Sequence, residues 1–329
     1  MNLPKITILF LLVIIFFYYG LNDSKNYTIG TYDGIIYAPF GNLSYRVYYP
    51  KEFKGQTYVI YVSRGGNGLG DDRGQLLPYV ERYVKKGYVV VQIDHRYAGN
   101  DVNLIAQYRG EEIKLIAEKV ANGTLSYGTF AGIVDGSKQG FIGHSGGCME
   151  GLEVAGVTMI HGNYYVPQIK AVYGMSPAGN NPDQFGITAN GFNSIDTTAI
   201  FLILGELEKD INGIGKFMAK DWRLQAYNGM NENGPRYQVI VKGPNTTHMD
   251  IANNNKEIQN YNLDNSEAFF DTYVRGINRR NEIGLLSLPT KNIIELSTKG
   301  IDKNSDKIGF LFSFDTKKFP FLFLFKFHF

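Results

Sequence analysis

The sequence predicts an α/β fold in which a mostly parallel sheet of about eight strands has helices on both faces. Short apolar runs rich in β-branched and aromatic residues recur along the chain, and amphipathic helical runs separate them. No internal repeat interrupts this alternation. With 329 residues, the chain is long enough for one large domain or two small ones.

The first half of the chain alternates strands and helices. We expect an opening pair of strands, a buried strand, a helix that ends at Gly87, a central strand and a long amphipathic helix. In that order they are "TYDGIIYAPF" with "LSYRVYYP", 57–63, "QLLPYVERYVKKG", 88–94 and "VNLIAQYRGEEIKLIAEKVANG".

The second half continues the pattern. We expect four further strands, at "QGFIGH", 169–175, 197–205 and 236–243. The helices expected beside and after them are "GGCMEGLEVAG", "FMAKDWRLQAYNGM" and "SEAFFDTYVRGIN".

A serine lies between the strand "QGFIGH" and the helix that follows it. Residues 143–147, Gly-His-Ser-Gly-Gly, match the nucleophile-elbow pattern G-x-S-x-G. Such a serine sits on a sharp turn with its hydroxyl exposed, and bulky side chains two residues away would collide there. The pentapeptide alone could be an ordinary glycine-rich turn, but the strand before it and the helix after it favour Ser145 as a nucleophile. The single cysteine, Cys148, is expected to be a small buried residue.

A serine nucleophile needs a general base, and the chain has five histidines. His248 follows the last predicted strand by a few residues, where the base belongs when the chain order is Ser, acid, His. The other histidines are at the end of a strand, beside the serine, in a loop and in the C-terminal tail: His95, His144, His161 and His328.

The acid that orients the base is expected on the turn after strand 197–205. This turn carries Glu206, Glu208 and Asp210. The sequence leaves the choice between Glu208 and Asp210 open, and Glu206 is the weakest candidate because alternation directs it to the other side.

Two backbone N–H groups are needed to bind the oxyanion of an acyl-transfer reaction. One is expected from Gly146, directly after the serine. The other is expected from the loop "RGGNGLGDDRG" after strand 57–63, where glycines allow close approach of the backbone to a ligand. This loop lacks the Gly-Lys-Ser/Thr ending of a phosphate-binding loop and the spacing of a dinucleotide site.

Together these stretches make the chain resemble the α/β-hydrolase superfamily. It is most similar to the branch with dienelactone-hydrolase-like, platelet-activating-factor-acetylhydrolase-like and cutinase-like proteins. The resemblance covers about residues 30–280 and rests on "VSRGGNGLG", "GYVVVQIDHRYAG", "VDGSKQGFIGHSGG", "LILGELEKD" and "KGPNTTHMD".

The resemblance implies an α/β-hydrolase fold and a serine esterase that needs no cofactor and no metal. It implies Gly66 as the second oxyanion donor and slightly favours Glu208 as the acid. The chain departs from the family where Arg64 replaces a histidine, and where a bulky residue usually follows the nucleophile but Gly146 is found. The alternatives are a serine peptidase and a non-catalytic binding module with the same fold.

The charge balance gives no support for a nucleic-acid partner. Lys and Arg total 33 and Asp and Glu total 31, for a net charge of +2. The expected partner is a small-molecule or lipid ester. One cysteine allows neither an internal disulfide nor a cysteine metal cluster.

Both ends of the chain differ in composition from the domain at 26–285. "ITILFLLVIIFFYY" has the length of a signal-peptide core, so residues 1–22 are expected to be a signal peptide or signal anchor. The protein is accordingly expected to be secreted, or membrane-associated through this segment. Residues 286–329, which end in an aromatic-rich tail, are expected to form a loosely attached extension.

Overall fold

The computed structural model describes residues 27–66, 76–96, 99–180, 185–208 and 220–301. Nine strands lie in these residues. They are β1 (Ile29–Ala38), β2 (Gly41–Pro50), β3 (Gln56–Ser63), β4 (Val89–Asp94), β5 (Ile133–His144), β6 (Ile169–Met175), β7 (Ala199–Gly205), β8 (Arg236–Lys242) and β9 (Ile293–Lys299).

The nine strands form one sheet with the order β1-β2-β4-β3-β5-β6-β7-β8-β9. The six strands from β4 across to β8 are parallel. The pairs β1–β2, β2–β4 and β8–β9 are antiparallel. The sheet is therefore mostly parallel, as the alternating pattern predicts, with one strand more than expected.

Five α-helices pack on the sheet in the described part of the chain. They are α1 (Leu77–Lys85), α2 (Val102–Ala121), α3 (Gly146–Ala155), α4 (Lys220–Gly229) and α5 (Lys256–Phe270). Alternate residues of strands β2 to β7 enter two separate apolar cores. One core contains residues of α2, α3 and α4, and the other contains residues of α1 and α5. Both faces of the sheet are thus covered by helices.

The C-terminal part of the fold differs from the sequence prediction. The expected loose extension begins at residue 286, but β9 lies inside it and pairs with β8 from Arg236↔Lys299 to Lys242↔Ile293. Strand β9 is therefore the edge strand of the sheet, and the expectation of a loosely attached extension was wrong for residues 293–299. The rest of the expected extension, residues 302–329, lies outside the described residues, as does the expected signal segment 1–22.

Helix α5 also begins ten residues before the predicted helix start at Ser266. Asn255 caps it, since its side chain accepts from the N–H groups of Glu257 and Ile258. The first half of α5 is rich in polar residues, yet Ile258 and Tyr261 are fully buried. No helix in the described ranges is long and apolar enough to cross a membrane.

Candidate active site

The carboxyl ends of the parallel strands place the residues of interest at one edge of the sheet. Ser145 follows β5, Glu208 follows β7 and His248 follows β8. In open α/β sheets this edge is where ligands bind.

Ser145 has a strained backbone conformation. Its φ of 56° and ψ of −117° lie outside the regions that non-glycine residues normally adopt. Its N–H donates to Met175 O at the end of the neighbouring strand β6, at 2.9 Å. The residue forms the turn between β5 and α3, which is the strand–turn–helix context that the elbow pattern requires.

The glycines on either side of this turn are needed for close packing. A Cβ atom on Gly143 would lie 2.2 Å from Gly147 O, and one on Gly147 would lie 2.2 Å from Ser63 O. Both atoms belong to the backbone and cannot rotate away. Any larger residue at either position would therefore force the turn apart.

The candidate base His248 and the candidate acid Glu208 are paired and buried. Glu208 Oε2 lies 3.0 Å from His248 Nδ1, and the two residues are 3% and 2% exposed. Glu208 Oε1 accepts from Ser176 Oγ at 2.8 Å and from Gly205 N–H at 2.9 Å. The carboxylate is thus fixed on one oxygen and presents the other to the imidazole ring.

A buried arginine on α4, Arg223, joins this pair. Its Nε lies 2.6 Å from Glu208 Oε2 and its Nη2 lies 3.1 Å from His248 Nδ1. Nη1 donates to the backbone oxygens of Ser176 and Pro177, at 2.7 and 2.9 Å. Burial alone would raise the pKa of Glu208, but the Arg223 charge and the His248 hydrogen bond outweigh it and lower this pKa below its ordinary value.

His144 connects the serine turn to His248. Its ring packs against the His248 ring with centroids 4.4 Å apart, and its Nε2–H donates to His248 O at 3.0 Å. Burial, together with the charge on His248, lowers the pKa of His144 to about 3. His144 is therefore a neutral ring that holds the backbone of His248. The hydrogen bonds of the described residues do not include one between Ser145 Oγ and His248 Nε2.

The loop after β3 lies against the serine turn, as the oxyanion-hole prediction requires. A Cβ on Gly65 would be 2.6 Å from Ser145 Cβ and 3.2 Å from Gly146 N. A Cβ on Gly146 would be 3.7 Å from Gly66 N. The two predicted donors, Gly66 and Gly146, are thus neighbours beside Ser145.

A second network of buried charges lies behind this loop. Arg109 Nη1 contacts Glu150 Oε2 at 3.1 Å, and Ser63 Oγ donates to the same oxygen at 2.6 Å. His95 lies between two carboxylates, with Nδ1 2.7 Å from Glu112 Oε2 and Nε2 3.3 Å from Glu150 Oε2. Burial alone would raise the pKa of Glu150, but His95 and Arg109 outweigh it and lower this pKa.

Neither Arg223 nor Arg109 is among the candidate site residues chosen from the sequence. A signal for the second network exists: Glu150 and Glu153 are charged residues in the otherwise apolar run "GGCMEGLEVAG" directly after Ser145. An acidic residue on a helix that packs in the core calls for a buried partner.

The remaining candidates are placed as follows. Asp210 lies outside the described residues. Glu206 continues the pairing of β7 with β8, since its N–H donates to Val241 O. Cys148 is fully buried, as expected, and burial raises the pKa of its thiol. Among the described residues, no three His, Cys, Asp or Glu side chains converge in a way that could hold a metal ion.

Comparison with known proteins adds no family assignment. The chain matches no family model, and the search of curated proteins finds no similar sequence. The class that the structure itself defines is an α/β protein with a nine-stranded, mostly parallel sheet.

Proposed function

We propose that this protein is a serine hydrolase that cleaves carboxylic esters of small molecules or lipids through an acyl-enzyme. The observation that carries the proposal is the strained Ser145 turn beside a buried Glu208–His248 pair. Non-glycine residues keep such a backbone conformation only where the surrounding structure over-determines it, and such strain clusters at functional sites.

In the proposed first half-reaction, Ser145 Oγ attacks the ester carbonyl carbon and His248 Nε2 accepts the hydroxyl proton. Glu208 accepts from Nδ1–H of His248, which keeps the lone pair on Nε2 and stabilises the imidazolium that forms. The N–H groups of Gly66 and Gly146 bind the oxyanion. His248 then donates its proton to the leaving alcohol.

In the second half-reaction, His248 takes a proton from water, and the resulting hydroxide attacks the acyl carbon. The ester bond to Ser145 breaks, and the proton returns to Ser145 Oγ. The Ser145–His248 hydrogen bond forms in this scheme when substrate is bound, since catalytic hydrogen bonds are often long in free enzymes and shorten in the complex.

The test is labelling with a fluorophosphonate probe together with hydrolysis of nitrophenyl esters of increasing acyl length. We expect the wild-type protein to be labelled and to turn over at least one ester. The Ser145→Ala variant should lose both properties, by about 10⁴-fold or more in kcat, with an unchanged circular dichroism spectrum.

Labelling without ester turnover would favour a peptidase, to be checked with peptide substrates. A folded wild-type protein that is neither labelled nor active would instead favour a non-catalytic binding module. Substantial turnover by folded Ser145→Ala would exclude Ser145 as the nucleophile.

A further inference from the structure

The loop after β3 is held by guanidinium groups at three consecutive carbonyl oxygens. Arg64 O accepts from Arg109 Nη1 at 2.9 Å, and Gly66 O accepts from Arg109 Nη2 at 3.3 Å. Between them, Gly65 O accepts from Nη1 of the Arg64 side chain at 3.1 Å. Every carbonyl of this short segment thus has a cationic donor.

These bonds determine the direction of the loop N–H groups. In a trans peptide, the C=O of one residue and the N–H of the next point in opposite directions. Binding of Gly65 O by a guanidinium therefore directs the Gly66 N–H to the other side of the peptide. The Gly65–Gly66 peptide itself is held by Arg64 Nη1, and Arg109 holds the peptides before and after it, so Arg109 fixes the two ends of this segment.

Arg109 also connects the loop to the helix that carries the other donor. Its partner Glu150 is one turn into α3, which begins at Gly146. Ser63, the last residue of β3, donates to the same Glu150 oxygen. Arg109 is 2% exposed and Glu150 is 1% exposed, so water does not compete for these bonds.

On the basis of the proposed function, we propose that Arg109 is the positioning residue of the oxyanion hole. By binding Glu150 on α3 and the carbonyl oxygens of Arg64 and Gly66, it fixes the separation and direction of the Gly66 and Gly146 N–H groups. It does not touch the substrate. Its effect on rate comes from pre-organising donors that bind most strongly in the transition state.

The test compares Arg109 with a matched buried arginine, Arg236, at the amino end of β8. Arg236 is 0% exposed and also donates to backbone carbonyls, including Thr198 O and Ile195 O. We expect Arg109→Met to lower kcat about 100-fold with KM within about 2-fold, because an oxyanion-hole interaction is lost without loss of ground-state binding. Arg236→Met should reduce stability but leave kcat within about 2-fold of wild type.

Lysine variants keep the charge and provide a second comparison if a methionine variant does not fold. Lysine cannot bridge two carbonyls in the way a planar guanidinium does, so Arg109→Lys should lose about 10-fold in kcat and Arg236→Lys should not. Equal kcat losses at the two positions, or a folded Arg109 variant with wild-type kcat, would overturn the proposal.

Crystal structures of wild type and Arg109→Lys separate this proposal from the proposed function. We expect the backbone of residues 64–66 to change conformation in the variant, because its anchors at Arg64 O and Gly66 O are weakened, and an unchanged loop would count against Arg109. This comparison holds even for a wild-type protein that hydrolyses no ester, a result that would refute the proposed function only.

Discussion

Two buried Glu–Arg–His groups lie at the carboxyl edge of the sheet, and they differ in how the histidine is bound. In the first, His248 contacts Glu208 and Arg223 through Nδ1 alone. In the second, both ring nitrogens of His95 contact carboxylates, one from Glu112 and one from Glu150. The residue types match, but only His248 keeps a ring nitrogen that the group itself does not use.

This difference separates a candidate base from a histidine whose two ring nitrogens are both occupied by carboxylates. A general base needs a lone pair aimed at the proton that it removes. Burial and the Arg109 charge lower the pKa of His95, but Glu150 and Glu112 outweigh them, so this pKa is raised above its ordinary value. The two carboxylates therefore favour the protonated form of His95. Buried groups of this kind order a loop, whereas in the proposed mechanism the Glu208–His248 pair moves a proton.

The largest expected effect comes from neutralising one glutamate of each group. Glu208→Gln should lower kcat by about 10⁴-fold, because the amide no longer selects the Nδ1–H tautomer of His248. Glu150→Gln keeps an oxygen that accepts from Arg109, so we expect a loss of only about 10-fold. Steady-state kinetics on one nitrophenyl ester measures both.

Similar losses in the two variants would show that the two groups do not differ in role. Should Glu208→Gln keep kcat within about 10-fold of wild type, Glu208 is not the acid. Asp210→Asn, assayed in parallel, then tests the alternative that the sequence leaves open.

A smaller effect is expected on stability at low pH, through His144 beside the first group. Its folded pKa of about 3 is below the ordinary value of 6.5, so the unfolded chain binds this proton more readily. The stabilisation is complete above pH 6.5 and is lost as pH falls toward 3. Between pH 7.5 and pH 4.5 wild type should lose about 2–3 kcal/mol of unfolding free energy through this residue.

The His144→Gln variant isolates that contribution. Gln cannot be protonated, and its amide N–H can replace the bond to His248 O, so its unfolding free energy should fall less over the same range. Urea unfolding at the two pH values measures the difference. Parallel loss in both proteins would mean that His144 does not titrate on unfolding.

The sequence predicts the central elements well because each central strand is a continuous apolar run between turn signals. It misses β9, "IIELSTK", because an antiparallel edge strand with one exposed face alternates polar and apolar residues. It misses the first half of α5 because the Asn-rich run "KEIQNYNLDN" has low helix propensity. The Asn255 cap and the burial of Ile258 and Tyr261 override that propensity.

For the site, the sequence indicates which loops meet but not which side chains touch. The elbow pattern and the chain order of Ser145 and His248 follow from backbone requirements that are visible as residue types. The choice among Glu206, Glu208 and Asp210 depends on side-chain direction, and the structure brings Glu208 to His248. Arg109 and Arg223 are distant in sequence from their partners, so no spacing rule could pair them.

The smallest expected effect concerns a carboxyl group that the second network leaves without compensation. Glu153 is fully buried one turn beyond Glu150, and neither of its oxygens has a hydrogen-bond partner among the described residues. Burial, with a contribution from the Glu150 charge, raises the pKa of Glu153 well above its ordinary value. The folded state thus favours the neutral form of this carboxyl, and folding becomes less favourable as pH rises past the pKa of the group in the unfolded chain. Glu153→Gln removes this cost, so the variant should exceed wild type by about 1–2 kcal/mol in unfolding free energy at pH 7.5 and match it near pH 4.

Glu118→Gln, at an exposed position on α2, is the control and should change stability by less than about 0.5 kcal/mol. Urea unfolding at both pH values measures the difference in unfolding free energy between Glu153→Gln and wild type. An equal difference at the two pH values would show that Glu153 does not ionise on unfolding. A stability difference that grows with pH would show that the pKa of Glu153 is higher in the folded than in the unfolded chain.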